Sequence, residues 1–252
     1  MKKILIIFLI LIIILAFIAA YNNNPRVIIS NLIKKGDIKT GELRYTMYFF
    51  GVLPVGEAVS AVEKIEEYDG QRVYHLNATA GSLECYSKFF SGFAVLDSYV
   101  DMHQLNPILF KQKVIVSSKQ GLDKEIIYDQ KDGIMIIAGT KCKILPNTQD
   151  PLSAVFNIRR IDFDKIKNFE ISLNSNQKNY ILKGNATVQD ILINKKTYKI
   201  VLVKTQIARR DKNPYHKSSI TMVFLQGKEN IPILIKVFAS GVSINAKLID
   251  IK

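Results

Sequence analysis

The chain has 252 residues, of which 35 are Lys or Arg and 22 are Asp or Glu, for a formal net charge of +13. It has no repeat of fixed period, no low-complexity tract and no Pro/Gly/Ser-rich central linker, which excludes a repeat array and leaves one domain, a size an all-β fold can use by itself. So basic a chain points first to nucleic acid, but here the lysines are scattered along alternating segments in a composition rich in Lys, Ile and Asn. Nucleic acid is therefore not the expected partner.

Met1-Lys2-Lys3 is a basic start, and Ile4 to Ala20 then run for 17 residues without a polar side chain. That exceeds a signal-peptide core of about 7–15 residues and just reaches the roughly 17–25 that span a bilayer. Residues 1–20 read as an uncleaved signal anchor, with a cleaved signal peptide as the alternative, because Ile18 fits poorly at a cleavage site after Ala20. Either way the positive-inside rule places the rest outside the cytoplasm, in the cell envelope on the periplasmic side. The bacterial membrane is then a partner through this apolar segment. No cysteine adjoins it, so a lipoprotein anchor is excluded. If the charge has a function, an anionic membrane surface or a glycolipid is its counterpart.

Residues 21–38 form a juxtamembrane linker in which Arg26 to Lys35 can make a short helix, broken at Gly36-Asp37. From about residue 39 to 252 the period changes. Leu43, Tyr45, Met47 and Phe49 alternate with Arg44, Thr46 and Tyr48, the pattern of a half-buried strand. Val55 to Ile65 is its hairpin partner, and Asp69-Gly70 turns the chain into Gln71 to Thr79. Further strands are expected through Phe93 and Tyr99, over Ile108–Ser118, and in a hairpin around Lys131-Asp132-Gly133. Past the centre, Phe169–Leu173, Tyr180–Val188, Tyr198–Ile207, Ser219–Leu225, Ile233–Phe238 and Val242–Ile249 continue the series. About a dozen short strands at even spacing predict a mainly β fold: an antiparallel meander curled into a barrel or half-barrel.

One helix interrupts the strands. Asp150 caps it, Pro151 occupies the first helical position, and Leu152, Val155, Phe156 and Arg159 follow at i, i+3, i+4 and i+7. Arg159 and Arg160 suit the C-terminal end of the helix dipole. A lone amphipathic helix in a β chain must bury its stripe on the sheet, so it plugs or lids the half-barrel.

Four stretches resemble a family of exported bacterial proteins known as domain of unknown function 3108. The first is Tyr45, Gly51 and Val55-Gly56-Glu57-Ala58; the second is Ser98-Tyr99-Val100-Asp101 with Leu105-Asn106-Pro107 and Phe110. The third and most distinctive is Gln149-Asp150-Pro151-Leu152-Ser153-Ala154 ending in Arg159, and the last is Ile231-Pro232, Gly241 and Leu248. Phe156 and Ile158 stand where the family usually carries an aromatic residue and leucine. The resemblance covers Glu42 to Leu248 and implies an envelope protein with a mostly β fold and no established reaction. The layout is also similar, at the level of fold, to the half-barrels with a helical lid of periplasmic lipoprotein carriers.

No catalytic signature is present. His75, His103 and His216 are far apart in sequence and lack metal-ligand spacing, and there is no nucleophile elbow, Walker loop or dinucleotide fingerprint. No metal and no cofactor are therefore expected, and the chain reads as non-enzymatic. Asp97 and Asp101 flank Tyr99 on one strand face, where edge or turn solvation competes with acid–base work. Cys85 and Cys142 are either bonded, closing a loop worth about 4 kcal/mol in the chain-entropy model, or two small side chains that never meet. Tyr45, Phe49, Phe89, Phe93, Tyr99 and Phe156 are candidates to line a cavity that one short helix cannot fill. The expected function is to bind an apolar ligand there (a lipid, a glycolipid or a lipoprotein acyl chain). The alternative is a structural scaffold of the envelope with no small-molecule ligand.

Overall fold

The computed structural model describes residues 19–21, 23–35, 41–86, 91–116, 119–175, 178–209, 218–239 and 241–252. Its body is one antiparallel sheet: β1 (Leu43–Phe49), β2 (Leu53–Tyr68), β3 (Gln71–Ser82), β4 (Gly92–Asp101), β5 (Pro107–Val116), β6 (Lys119–Asp129), β7 (Ile134–Ile137), β8 (Thr140–Lys143), β9 (Asn168–Ser175), β10 (Lys178–Ile193), β11 (Lys196–Arg209), β12 (Ser219–Leu225), β13 (Ile231–Ala239) and β14 (Val242–Ile251). The spatial order is β8-β7-β6-β5-β4-β3-β2-β1-β14-β13-β12-β11-β10-β9. Two meanders are thus joined through β1 and β14, and the chain's one long crossover runs from β8 to β9. That crossover carries the helix α2 (Pro151–Arg159), while α1 (Pro25–Lys35) precedes β1.

α2 touches β3, β4 and β9. In sheet order β3 and β9 are eight strands apart, about 38 Å if the sheet were flat. A nine-residue helix can reach both only because the sheet curls around it. The sheet does not close: β8 and β9 remain its edges. The segment before α2 covers the β9 edge instead, with the Gln149 amide donating to Ser172 O at 2.8 Å and the Asn174 amide donating to Gln149 O at 3.0 Å. A covered edge does not template pairing with other chains. Nearby, the Asn179 side-chain amide donates to Lys143 O at 3.0 Å, tying β10 to β8.

The two faces of the β9–β14 half are covered by different helices. Val201, Val203, Met222 and Phe224 pack with Ile158 of α2 and with Phe163. Their strand neighbours Ile200, Val223 and Leu225 pack with Ile28, Ile29 and Leu32 of α1. Successive strand residues point to opposite faces, so α2 lies on the concave face and α1 on the convex one. α1 belongs to the folded body rather than to a linker. Among the described residues no helix is long and apolar enough to cross a membrane; the apolar run of residues 4–18 lies outside them.

Cys85 sits in a 3-10 turn after β3 and Cys142 on the edge strand β8, and both are free thiols. Five strand positions separate β3 from β8 in the sheet, and the two cysteines are not bonded in this structure.

Candidate functional site

The N-terminus of α2 is built around Asp150, which is fully buried. One carboxylate oxygen accepts from the amides of Leu152 at 2.7 Å and Ser153 at 3.0 Å, and the other accepts from Ser98 Oγ at 2.6 Å. Ser153 Oγ accepts in return from the Asp150 amide, completing a capping box. Ser153 is thus part of the cap and not only a small residue packed on the sheet. Burial raises the Asp150 carboxyl above the ordinary aspartate range although all these bonds pull the other way. Burial also pushes the nearby Tyr128 phenol up, and the Asp150 charge adds to that shift. Asn157 donates to Leu105 O and to Gln149 Oε1, and Gln149 donates to Asn106 Oδ1.

The C-terminal end is held by the β12–β13 turn. Asn230 Nδ2 donates to the carbonyl of Arg159 at 2.9 Å, an oxygen that the helix leaves without a partner, and to that of Ile161 just beyond it at 3.0 Å. Arg159 Nε donates to Asn230 O at 3.2 Å and its guanidinium pairs with Glu229. Asp150 and Arg159 therefore serve opposite ends of the helix, and neither pairs with the other. Arg160 lies over the rings of Tyr74 and Phe156. The helix buries Ser153, Ala154, Phe156 and Ile158, more than one stripe, because the curled sheet meets it on several sides.

Between α2 and the strands beside it runs a cleft of about 220 Å³. Leu152, Val155, Phe156 and Arg159 form its roof, and Tyr45, Ile235 and Ala246 stand at one wall. Its floor is a grid of small side chains set by register. Ala58, Ala80 and Ala94 make one row, and Ser60, Ala78 and Leu96 the next. These positions share the face of Leu76 and Ser98, which touch the helix. The floor is open because its residues are short. Tyr45 is 4% exposed and its hydroxyl donates to Pro232 O at 2.9 Å. Burial pushes the Tyr45 phenol up, with Arg159 acting weakly the other way.

Of the residues expected to line a cavity, Tyr45 and Phe156 do so. Phe49 and Phe93 do not: they are exposed at the ends of their strands. Tyr99 lies on the opposite face, stacked on His75 at 4.5 Å, and Phe89 lies outside the described residues. The alanine floor escaped the sequence reading because apolar pockets are sought through large side chains. The alternation Ala58-x-Ser60 against Ala78-x-Ala80 was its available signal.

A second cluster occupies the convex face. His75 Nδ1 lies 3.1 Å from Glu66 Oε1 and its Nε2 lies 2.9 Å from Asp97 Oδ1, which also accepts from Asn77. Both ring nitrogens face carboxylates, so the cluster ties β2, β3 and β4 together and presents no free base. Asp101 instead caps the β4–β5 turn through the amides of His103 and Gln104. A wider depression of about 1050 Å³ lies among the β10–β11 and β12–β13 turns beside Ile33. It is an open surface feature rimmed by Lys196, Lys199 and Lys228.

Comparison with known proteins bears on this geometry. Residues 44–248 match the model of a family described as protein of unknown function (DUF3108). A solved structure from Brucella abortus, a β-barrel-like protein of domain of unknown function DUF1849, is similar in fold. It is 11% identical, with a TM-score of 0.59, and the match covers 86% of this chain and 99% of that one. No match to a curated protein was found.

Proposed function

The chain belongs to the DUF3108 family, and for it we propose the binding of an apolar chain of a lipid-like molecule in the cleft under α2, in the cell envelope. One observation carries this reading: the cleft is a cavity of about 220 Å³ whose floor is alanine and whose roof is Leu152, Val155 and Phe156. An apolar cavity of about 150 Å³ suffices to bind benzene, while whole drug-sized ligands use roughly 300–1,000 Å³. The cleft therefore takes a segment of one acyl chain and leaves the rest of the amphiphile outside. Arg159 is the charged side chain in the lining, and its charge is met by Glu229. The lining is mostly apolar, so the reading is carriage or sensing rather than chemistry. The N-terminal apolar segment and its basic start support an envelope location, with that segment tethering the domain to the inner membrane or lost after export.

Native mass spectrometry with lipid extraction on the chain from an exporting host tests the proposal. Wild type should carry an adduct of lipid mass, and Ala78→Phe, which fills the floor, should lose it while keeping its fold by circular dichroism. A clean apo mass, with no thermal shift on addition of envelope lipids, overturns the reading and leaves the scaffold function.

A further inference from the structure

The hairpin turns divide into two rims at opposite ends of the strands. One rim holds the β2–β3, β4–β5, β6–β7, β10–β11 and β12–β13 turns, with Asp69, Asp101, Lys131, Asp132, Lys195, Lys196, Lys228 and Glu229 among their residues. The other holds the β1–β2, β3–β4, β5–β6, β7–β8, β9–β10, β11–β12 and β13–β14 turns; Glu84, Lys141 and Lys178 lie along it, but its β1–β2 and β13–β14 turns, the start of β4 and the end of β5 carry exposed apolar side chains. Phe50 is 52% exposed, Phe93 47% and Phe238 43%, and Phe49, Leu53, Val116, Val237 and Val242 are exposed beside them. Register places these together. Phe49 opposes Leu53 and Ile244, the Phe50 amide donates to Ser243 O, and Phe238 opposes Ser243. Phe93 opposes Ile115, next to the Gly92–Val116 pair. Single exposed apolar residues are ordinary and occur elsewhere too, but all four exposed phenylalanines among the described residues gather on this one rim, and such a cluster marks a contact surface.

The path of the chain says what that surface meets. Asn23 Oδ1 accepts from Asn245 Nδ2 at 3.2 Å, and Asn23 also lies against Gly51 in the β1–β2 turn. Asn23, three residues after the end of the apolar stretch in the sequence, therefore lies at this rim, and Tyr21 is 59% exposed. We infer that the rim bearing Phe49, Phe50, Phe93 and Phe238 docks on the lipid bilayer that receives the N-terminal segment. Aromatic side chains favour the membrane–water interface, where an apolar ring can enter and the backbone stays hydrated. Docked this way, the half-barrel stands on the rim that bears the phenylalanines, with the β2–β3, β4–β5, β6–β7, β10–β11 and β12–β13 turns pointing away from the lipid. The inference goes beyond cleft binding and does not need it.

The chain contains no tryptophan, so an introduced one reports its own surroundings. Full-length Phe50→Trp, Phe238→Trp and Phe93→Trp replace exposed rings with similar ones, and Leu192→Trp marks the opposite rim, where Leu192 is 61% exposed. Each variant is reconstituted into vesicles of phosphatidylethanolamine and phosphatidylglycerol with brominated acyl chains. The three rim tryptophans should emit at shorter wavelength and be quenched several-fold more than that of Leu192→Trp. Equal quenching at both rims, or none at either, overturns the inference. Rim tryptophans shielded from iodide but not quenched by bromolipid, in a particle of doubled mass, would mean that a second copy covers the rim, and that also overturns it. The readout is independent of cleft occupancy, so a failed lipid adduct and a failed docking are separable results.

Discussion

Replacing Asp150 probes the joint on which the helix and the cleft depend. In Asp150→Ala the amides of Leu152 and Ser153 lose their acceptor, and Ser98 Oγ loses its partner inside the protein. Loss of an N-cap costs about 1 kcal/mol, and a buried hydroxyl left without a partner costs about 1–3 kcal/mol. Together these give a loss of about 3 kcal/mol, which for a chain of this length lowers Tm by about 6–12 °C. Asp150→Asn keeps an acceptor for the amides and should lose less. The two variants also differ from wild type in pH dependence. Because burial raises the Asp150 carboxyl in the folded state, the folded chain holds that proton more tightly than the unfolded one. The contribution is complete below the ordinary aspartate range and declines as pH rises through the raised value. The stability of wild type relative to Asp150→Asn should therefore fall with rising pH over that window. Thermal denaturation of the full chain across acid to neutral pH measures both effects. A Tm change below about 2 °C in Asp150→Ala would show that apolar packing alone seats the helix, since the loss would then be under about 1 kcal/mol. A wild-type advantage that grows with pH would contradict the electrostatic account.

Tyr45→Phe removes the hydroxyl that donates to Pro232 O and should cost about 1 kcal/mol, read by chemical denaturation, because a buried hydrogen bond is lost. Gly56→Ala places a Cβ 2.5 Å from Gly81 O and from Met47 Cε. A methionine tip can move but a neighbouring strand cannot, so this variant should lose about 1–3 kcal/mol in the same assay. Thiol titration of unreduced, denatured protein should find both Cys85 and Cys142 reactive; a single bonded pair would contradict the strand order.

Much of the fold is legible in the sequence for a physical reason. Strand alternation from Leu43 to Phe49 or from Tyr198 to Ile207 records which face is buried, and Asp69-Gly70 and Lys131-Asp132-Gly133 record where the chain turns. The helix start at Asp150-Pro151 is equally local. β8 (Thr140–Lys143) escaped because four residues with two lysines carry no pattern. Which strands become neighbours is not a local property, so the distance between Cys85 and Cys142 could not be read. The four stretches that resemble the family meet at α2. Tyr45 bonds Pro232, Ser98 bonds Asp150, and Asn230, just before Ile231-Pro232, caps the helix that Arg159 ends. Residues separated by up to 187 positions thus hold one small element. The cleft stayed hidden because it is defined by what the alanines do not fill.

Photo-crosslinking in vesicles tests the central claim most directly, using the full chain and a phospholipid with a diazirine in one acyl chain. The account predicts label on peptides carrying Leu152–Arg159 and Ala78–Ala94, with the label on those peptides lost in Ala78→Phe. Label confined to the N-terminal apolar segment and the Phe50 rim, unchanged by Ala78→Phe, would contradict cleft binding.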